Sequence, residues 1–170
     1  MSTSSWPLSS ASTSVFTVKK ANAITAPVAF WERSTLFWQT KMGMINDFDS
    51  FSGLIATQGV GLVDGGFVLS LKYVTASLNK TIDTMIVGDS NTDILSKSAW
   101  NGLDGTTYTS SAGSNLGATN LPLYIGGRAC SSLYANFNLH ELIIYNRTMS
   151  SFESRWMEAY LAYKWSITPW

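Results

Sequence analysis

Hydrophobic and polar positions alternate along much of this chain with the two-residue period of a β-strand. The alternation is clearest over residues 67–74 (FVLSLKYV), where Phe67, Leu69, Leu71 and Tyr73 form one row and Ser70 and Lys72 fall in the other. Residues 14–19 (SVFTVK), 28–31, 34–40, 54–57 and 81–87 read as further short strands, with a break expected at Glu32 and Arg33. Between them, residues 42–53 read as a loop, and Gly59, Gly61, Gly65 and Gly66 as tight turns. Residues 88–117 read as a long polar region with one short strand near 106–110. Residues 1–12, rich in Ser and Thr, read as a flexible or partner-dependent tail, which leaves 13–170 as a single domain.

The last quarter carries the strongest pattern. An apolar run, Leu123-Tyr124-Ile125, ends in the pair Gly126-Gly127. A long strand follows over residues 136–145. Phe137, Leu139, Glu141, Ile143 and Tyr145 make one row, and Asn138, His140, Leu142 and Ile144 the other. Both rows are mostly apolar beyond Glu141, which predicts a central strand covered on both faces. Glu141 then needs a partner, and Arg128 and Arg147 are the nearest candidates along the chain. A helix is predicted from about residue 152 to 165. Ser150 and Glu153 have the spacing of a capping box, and Phe152, Trp156, Tyr160 and Tyr163 recur at helical intervals beside Met157 and Leu161. Burial of each large side chain is worth about 1.5–3 kcal/mol, so this stripe is expected to dock against the sheet.

Composition narrows the function classes. The 170 residues include 11 basic and 11 acidic side chains, a formal net charge of zero. A neutral surface rich in hydroxyls and amides argues against nucleic acid as a partner. No run is long and apolar enough to span a bilayer, and the first residues lack the basic and apolar regions of a secretory signal. The single cysteine, Cys130, precludes an internal disulfide and reads as a small buried hydrophobe. The single histidine, His140, has no nucleophile and carboxylate at a suggestive spacing, and reads as structural or surface-lying.

The segments Leu123-Tyr124-Ile125-Gly126-Gly127-Arg128, Leu139-His140-Glu141-Leu142-Ile143-Ile144-Tyr145-Asn146-Arg147 and Tyr160-Leu161-Ala162-Tyr163-Lys164-Trp165 resemble the C-terminal part of concanavalin A-like lectin/glucanase domains, in particular the laminin-G-like subgroup. The resemblance covers about the last 45 residues and implies an all-β, two-sheet antiparallel jelly-roll sandwich with one C-terminal α-helix. Phe137 stands where such domains often place a glycine. The front of the chain is short by comparison, so either those strands are dispensable here or another chain completes the sheet edge. Glucan-cutting members carry Glu-x-Asp-x-x-Glu on one strand. That motif is missing here, and the chain has only Glu32, Glu141, Glu153 and Glu158. No carboxylate pair suited to glycoside cleavage can be assembled from them, so no enzyme is predicted.

Two stretches are candidate sites. Trp100, Asn101, Asp104 and Tyr108 place aromatic rings among amide and carboxylate groups, the means by which sugars are held: a ring covers the C–H face and polar groups fix the hydroxyls. The same Trp100 is also a candidate anchor packed onto the sandwich. Asp89, Asn91 and Asp93 begin like a calcium loop, but Ile94 replaces the turn glycine and Trp100 the closing Glu. No cofactor is therefore required, with calcium retained as an option, since laminin-G-like domains often carry it at loop ends. The expected function is a non-catalytic decoration protein on a virion or phage particle, or otherwise an extracellular-facing surface. The partners would then be other protein subunits and, as an option, glycans. The alternative is a stand-alone module that recognises carbohydrate or protein.

Overall fold

The computed structural model describes residues 13–22, 28–34, 40–48, 56–63, 67–74, 79–89, 94–100, 103–104, 108–110, 123–127 and 134–168. They form eleven strands and one helix: β1 (Thr13–Ala21), β2 (Val28–Ser34), β3 (Thr40–Phe48), β4 (Ala56–Val63), β5 (Phe67–Val74), β6 (Lys80–Asp89), β7 (Ile94–Trp100), β8 (Leu103–Asp104), β9 (Tyr108–Ser110), β10 (Leu123–Ile125), β11 (Phe137–Tyr145) and α1 (Ser151–Trp165). Every pairing among them is antiparallel. One sheet runs β11-β1-β6-β7-β8, with β9 also on β7; the other runs β10-β2-β3-β4-β5.

The early strands differ from the sequence expectation in an instructive way. β2 continues through Glu32 and Arg33, and β3 occupies residues read as a loop. Gly59 and Gly61 lie inside β4, paired with Leu71 and Leu69 of β5, rather than in turns. Gly and Asp are poor strand formers in isolation, but a strand bonded on both sides gains enough from its neighbours to override that preference. β7 emerges from the polar stretch 88–117 for the same reason, since it is bonded to β6 along its whole length.

β1 is the buried axis of the six-stranded sheet. Val15, Phe16, Thr17 and Val18 have no exposed surface. Its alternate residues look to opposite sides. Phe16 and Val18 share a cluster with Ile82 and Ile86 of β6 and with Met149, Leu161, Ala162 and Ile167. Val15 and Thr17 look away from that cluster and are equally buried. β11, predicted to be central, is instead at the end of the sheet order, hydrogen-bonded to β1 alone among the described strands. Its two apolar rows reflect cover on its faces, and cover on the faces says nothing about hydrogen-bonded neighbours at the edges.

The register between β1 and β11 slips between Val18 and Lys19: Val18 pairs with Glu141 and Lys19 with Leu139, so His140 has no partner position. A bulge of this kind reverses the alternation beyond it. His140 and Glu141 consequently both meet the end of α1, and Phe137 turns towards Gly126. Gly126 has φ +83°, a left-handed conformation open to glycine, and its carbonyl accepts from the Ala135 amide.

α1 begins and ends on well-defined caps. The Ser150 hydroxyl accepts from the Glu153 amide while the Glu153 carboxylate accepts from the Ser150 amide, closing the expected capping box. At the other end Ser166 adopts φ 51°, and the Ile167 amide reaches back to the Ala162 carbonyl at 2.9 Å. Met149 before the helix and Ile167 after it are both buried and pin the two ends to the sheet.

The buried face of α1 is only in part the one expected: Leu161 is buried and Met157 packs against the cluster, but the aromatic residues stay outside. Phe152, Trp156, Tyr160 and Tyr163 remain 72%, 65%, 52% and 89% exposed, whereas Ser154, Glu158, Leu161 and Ala162 are buried. The helix is apolar on two sides, and the anchors at its ends set its rotation. The small residues Ser154 and Ala162 let it approach the sheet closely, a position large rings would not allow.

Candidate functional site

Two regions concentrate chemistry-bearing residues: the junction of α1 with β11, and the β7–β9 edge at the far side of the same sheet.

At the junction, Glu141 is held by the end of α1. Lys164 Nζ donates to Glu141 Oε1 at 2.8 Å and Trp165 Nε1 donates to Oε2 at 2.6 Å. These two donors hold its carboxyl below the ordinary range. Of the partners expected from the sequence, Arg147 does not serve. Arg128 lies outside the described residues, and Arg147 pairs with Glu153 through both carboxylate oxygens at 2.7 and 3.0 Å. With Arg147 and the Ser150 cap donating, Glu153 is lowered to about 2. Both acids serve to fix the helix. The partners of Glu141 were in view in the sequence at Lys164 and Trp165, but only the docking of α1 reveals the distance.

Trp165 gathers cations and the histidine. Lys80 Nζ lies 5.5 Å from its ring centre and Lys164 Nζ 5.7 Å, and the His140 ring centre is 5.0 Å away. Lys80 also donates to the Trp165 carbonyl at 2.9 Å, a cation on the negative end of the helix. His140 is half-buried. Its Nε2 is buried without a hydrogen-bond partner, and its pKa is pushed down by burial first and then by Lys80 and Lys20.

The sign of the resulting pH dependence follows. An imidazole whose folded pKa lies below its unfolded one binds its proton more readily when unfolded. Its full contribution is present above the ordinary histidine value of 6.5 and is lost as pH falls through it. Glu153 contributes fully above the ordinary 4.5 and loses its contribution as pH falls towards about 2. Thermal midpoints should therefore decline in two stages on acidification, the first below 6.5. His140→Phe, which keeps a ring beside Trp165, should flatten the first stage and leave the second. An unchanged first stage in that variant would assign it to another group.

On the face of the sheet away from α1, Lys19 and Asp83 form an ion pair at 2.7 Å, with side chains 6% and 0% exposed. Thr81 bridges it, accepting from Lys19 and donating to Asp83, each at 3.2 Å.

The β7–β9 edge carries the residues singled out for sugar binding. β8 returns along β7 as a tight hairpin that pairs Trp100 with Leu103 and Ala99 with Asp104, and β9 pairs Tyr108 with Ser96. Register separates the set. Positions 96, 98 and 100 form one row of β7, continuous with Asp83 and Thr17 on the face away from α1, and Tyr108 is opposite that row. Asp104 is opposite the other row. Asn101 lies outside the described residues. The structure thus brings Trp100, Asp104 and Tyr108 to one sheet edge, but in two rows. Of the calcium candidates, Asp89 is the last residue of β6, and Asn91 and Asp93 lie outside the described residues, as do Cys130 and the tail 1–12. Among the described residues no group of three or more His, Cys, Asp or Glu side chains is placed to hold a metal ion, and no helix is long and apolar enough to cross a membrane.

No protein-family model and no curated protein matches the chain by sequence. Solved structures do match. The chain resembles a native heptameric SAP-like pentraxin from Limulus polyphemus, with TM-score 0.65 and 10% identity over 85% of this chain and 68% of that one. The fold it shares is the lectin-like jelly roll. A CBM40 of the Ruminococcus gnavus IT-sialidase, bound to α2,3-sialyllactose, matches with TM-score 0.61 and 13% identity over 85% of this chain and 80% of that one. The NanB sialidase of Streptococcus pneumoniae matches with TM-score 0.63 and 18% identity, but this chain spans only 24% of it. At such identities the likeness establishes the fold and leaves the site to be argued from this chain's own residues.

Proposed function

We propose that this chain is a non-catalytic glycan-binding module of the laminin-G-like kind, with its two sheets packed face to face. The observation that carries the reading is the match to a CBM40 bound to sialyllactose, over 80% of that chain. Supporting it, Glu141 and Glu153 are tied into ion pairs that hold α1, and Glu158 pairs with Arg155 of the same helix. The particle-decoration role gains no support from these fold relatives, and the carbohydrate-binding alternative takes precedence.

We infer that the ligand binds at the β7–β9 edge, where Trp100 and Tyr108 hold register positions on the same face of the sheet. A ring offers a sugar its face. Titration with α2,3-sialyllactose, followed by a glycan array, tests this. Trp100→Ala and Tyr108→Ala should each weaken binding about tenfold or more, if stacking contributes on the scale of a buried aromatic contact. Binding that survives both substitutions would move the site elsewhere. No binding to any arrayed glycan would reject the module reading.

A further inference from the structure

The aromatic stripe left outside on α1 has no role in the fold or in the proposed glycan site. We infer that it is a self-association surface, and that two copies of this chain pack α1 against α1 in antiparallel fashion about a two-fold axis.

Three observations select a second copy as the occupant. The first is spacing. Phe152 and Tyr163 are centred on nearly the same point of the helix as Trp156 and Tyr160, close to Glu158. An antiparallel copy therefore brings Phe152 opposite Tyr163 of the second copy and Trp156 opposite Tyr160 of the second copy, which is the self-complementarity that a two-fold interface requires. The second is area. Four rings that can each bury about 150–250 Å² leave on the order of 550 Å² uncovered per copy at the exposures found. Two copies would cover on the order of 1,100 Å², just above the ~1,000 Å² of a specific interface. The third is charge. Glu153 lies in the first turn and Lys164 in the last, each already neutralised, by Arg147 and Glu141 respectively. Antiparallel packing sets the acidic end of one helix beside the basic end of the other, opposes the two helix dipoles, and brings no unpaired charge into the contact.

The surface also has relief. Met149, Phe152, Trp156, Met157 and Tyr160 line an open apolar groove with Glu153 at its rim. Phe152 and Trp156 stand edge to face, 6.2 Å between centres, as its wall. A ring of the second copy entering this groove supplies the central packed contact on which interface affinity depends.

Sedimentation velocity of the full chain from low to high micromolar concentration tests the inference. The wild type should shift from monomer to dimer, and Trp156→Glu should raise the dissociation constant about thirtyfold or more, as expected of a central aromatic anchor. Tyr163→Glu, at the most exposed ring of the stripe, should do the same while leaving the thermal midpoint and near-ultraviolet dichroism of the monomer unchanged. A wild type that remains monomeric throughout overturns the inference. So does a dimer that both variants leave intact. So does a monomer whose glycan binding is lost in Trp156→Glu, because the stripe would then belong to a sugar.

Discussion

Asp83→Ala should destabilise the protein by about 3–5 kcal/mol, because it removes the buried carboxylate 2.7 Å from the Lys19 ammonium. The pair is 2.7 Å apart, and neither side chain is more than 6% exposed. It sits on the face of β1 and β6 opposite α1, since Phe16, Val18, Ile82 and Ile86 occupy the helix side. The double variant Lys19→Met/Asp83→Leu removes both charges at similar volume and should cost far less, as replacement of a buried pair by apolar groups is often neutral. Urea unfolding of the three proteins decides the matter, with midpoints compared at similar slopes. If Asp83→Ala costs no more than the ~0.5 kcal/mol of an ordinary surface change, this face of the sheet is wet and the packing of a second layer over it is wrong.

The second large effect separates the two sides of α1. Leu161→Ala should cost about 2–5 kcal/mol, the range for truncating a buried aliphatic side chain that cannot be refilled. Leu161 has no exposed surface and touches the cluster that joins the helix to β1 and β6. Trp156→Ala removes a much larger side chain, yet should change stability by no more than about 0.5 kcal/mol in the monomer, because the ring is 65% exposed. In a chain of this size each kcal/mol moves the thermal midpoint by about 2–4 °C, so the two variants separate clearly in a melting experiment. A Trp156→Ala protein as destabilised as Leu161→Ala would mean that the helix is rotated, with its aromatic stripe inward. That outcome would also remove the basis for self-association.

Both experiments probe what the linear pattern left open. The strands with regular alternation, residues 14–19, 67–74 and 81–87, appear as β1, β5 and β6 because each carries its own two-residue period. β3 and β7 carry Gly, Asp, Ser and Lys in place of that period, and their extended form depends on the strands bonded to them. The same division runs through the candidate sites. Trp100 and Tyr108 are conspicuous as aromatics in a polar region, but their separation from Asp104 into another row depends on the register of β7 with β8 and β9. The Lys19–Asp83 pair was not signalled at all, since the two residues are far apart in sequence and each is ordinary where it stands.

The amino-acid order alone determined that the chain ends in a strand followed by a capped helix, because the alternation, the Ser150–Glu153 box and the helical recurrence of aromatics are all encoded within a few residues of one another. Only the tertiary structure decided which side of that helix is buried. The periodicity marks a stripe without saying what covers it, and the rotation is set by Met149, Ile167 and the ion pairs to Arg147 and Glu141, contacts that exist only once the sheet has formed.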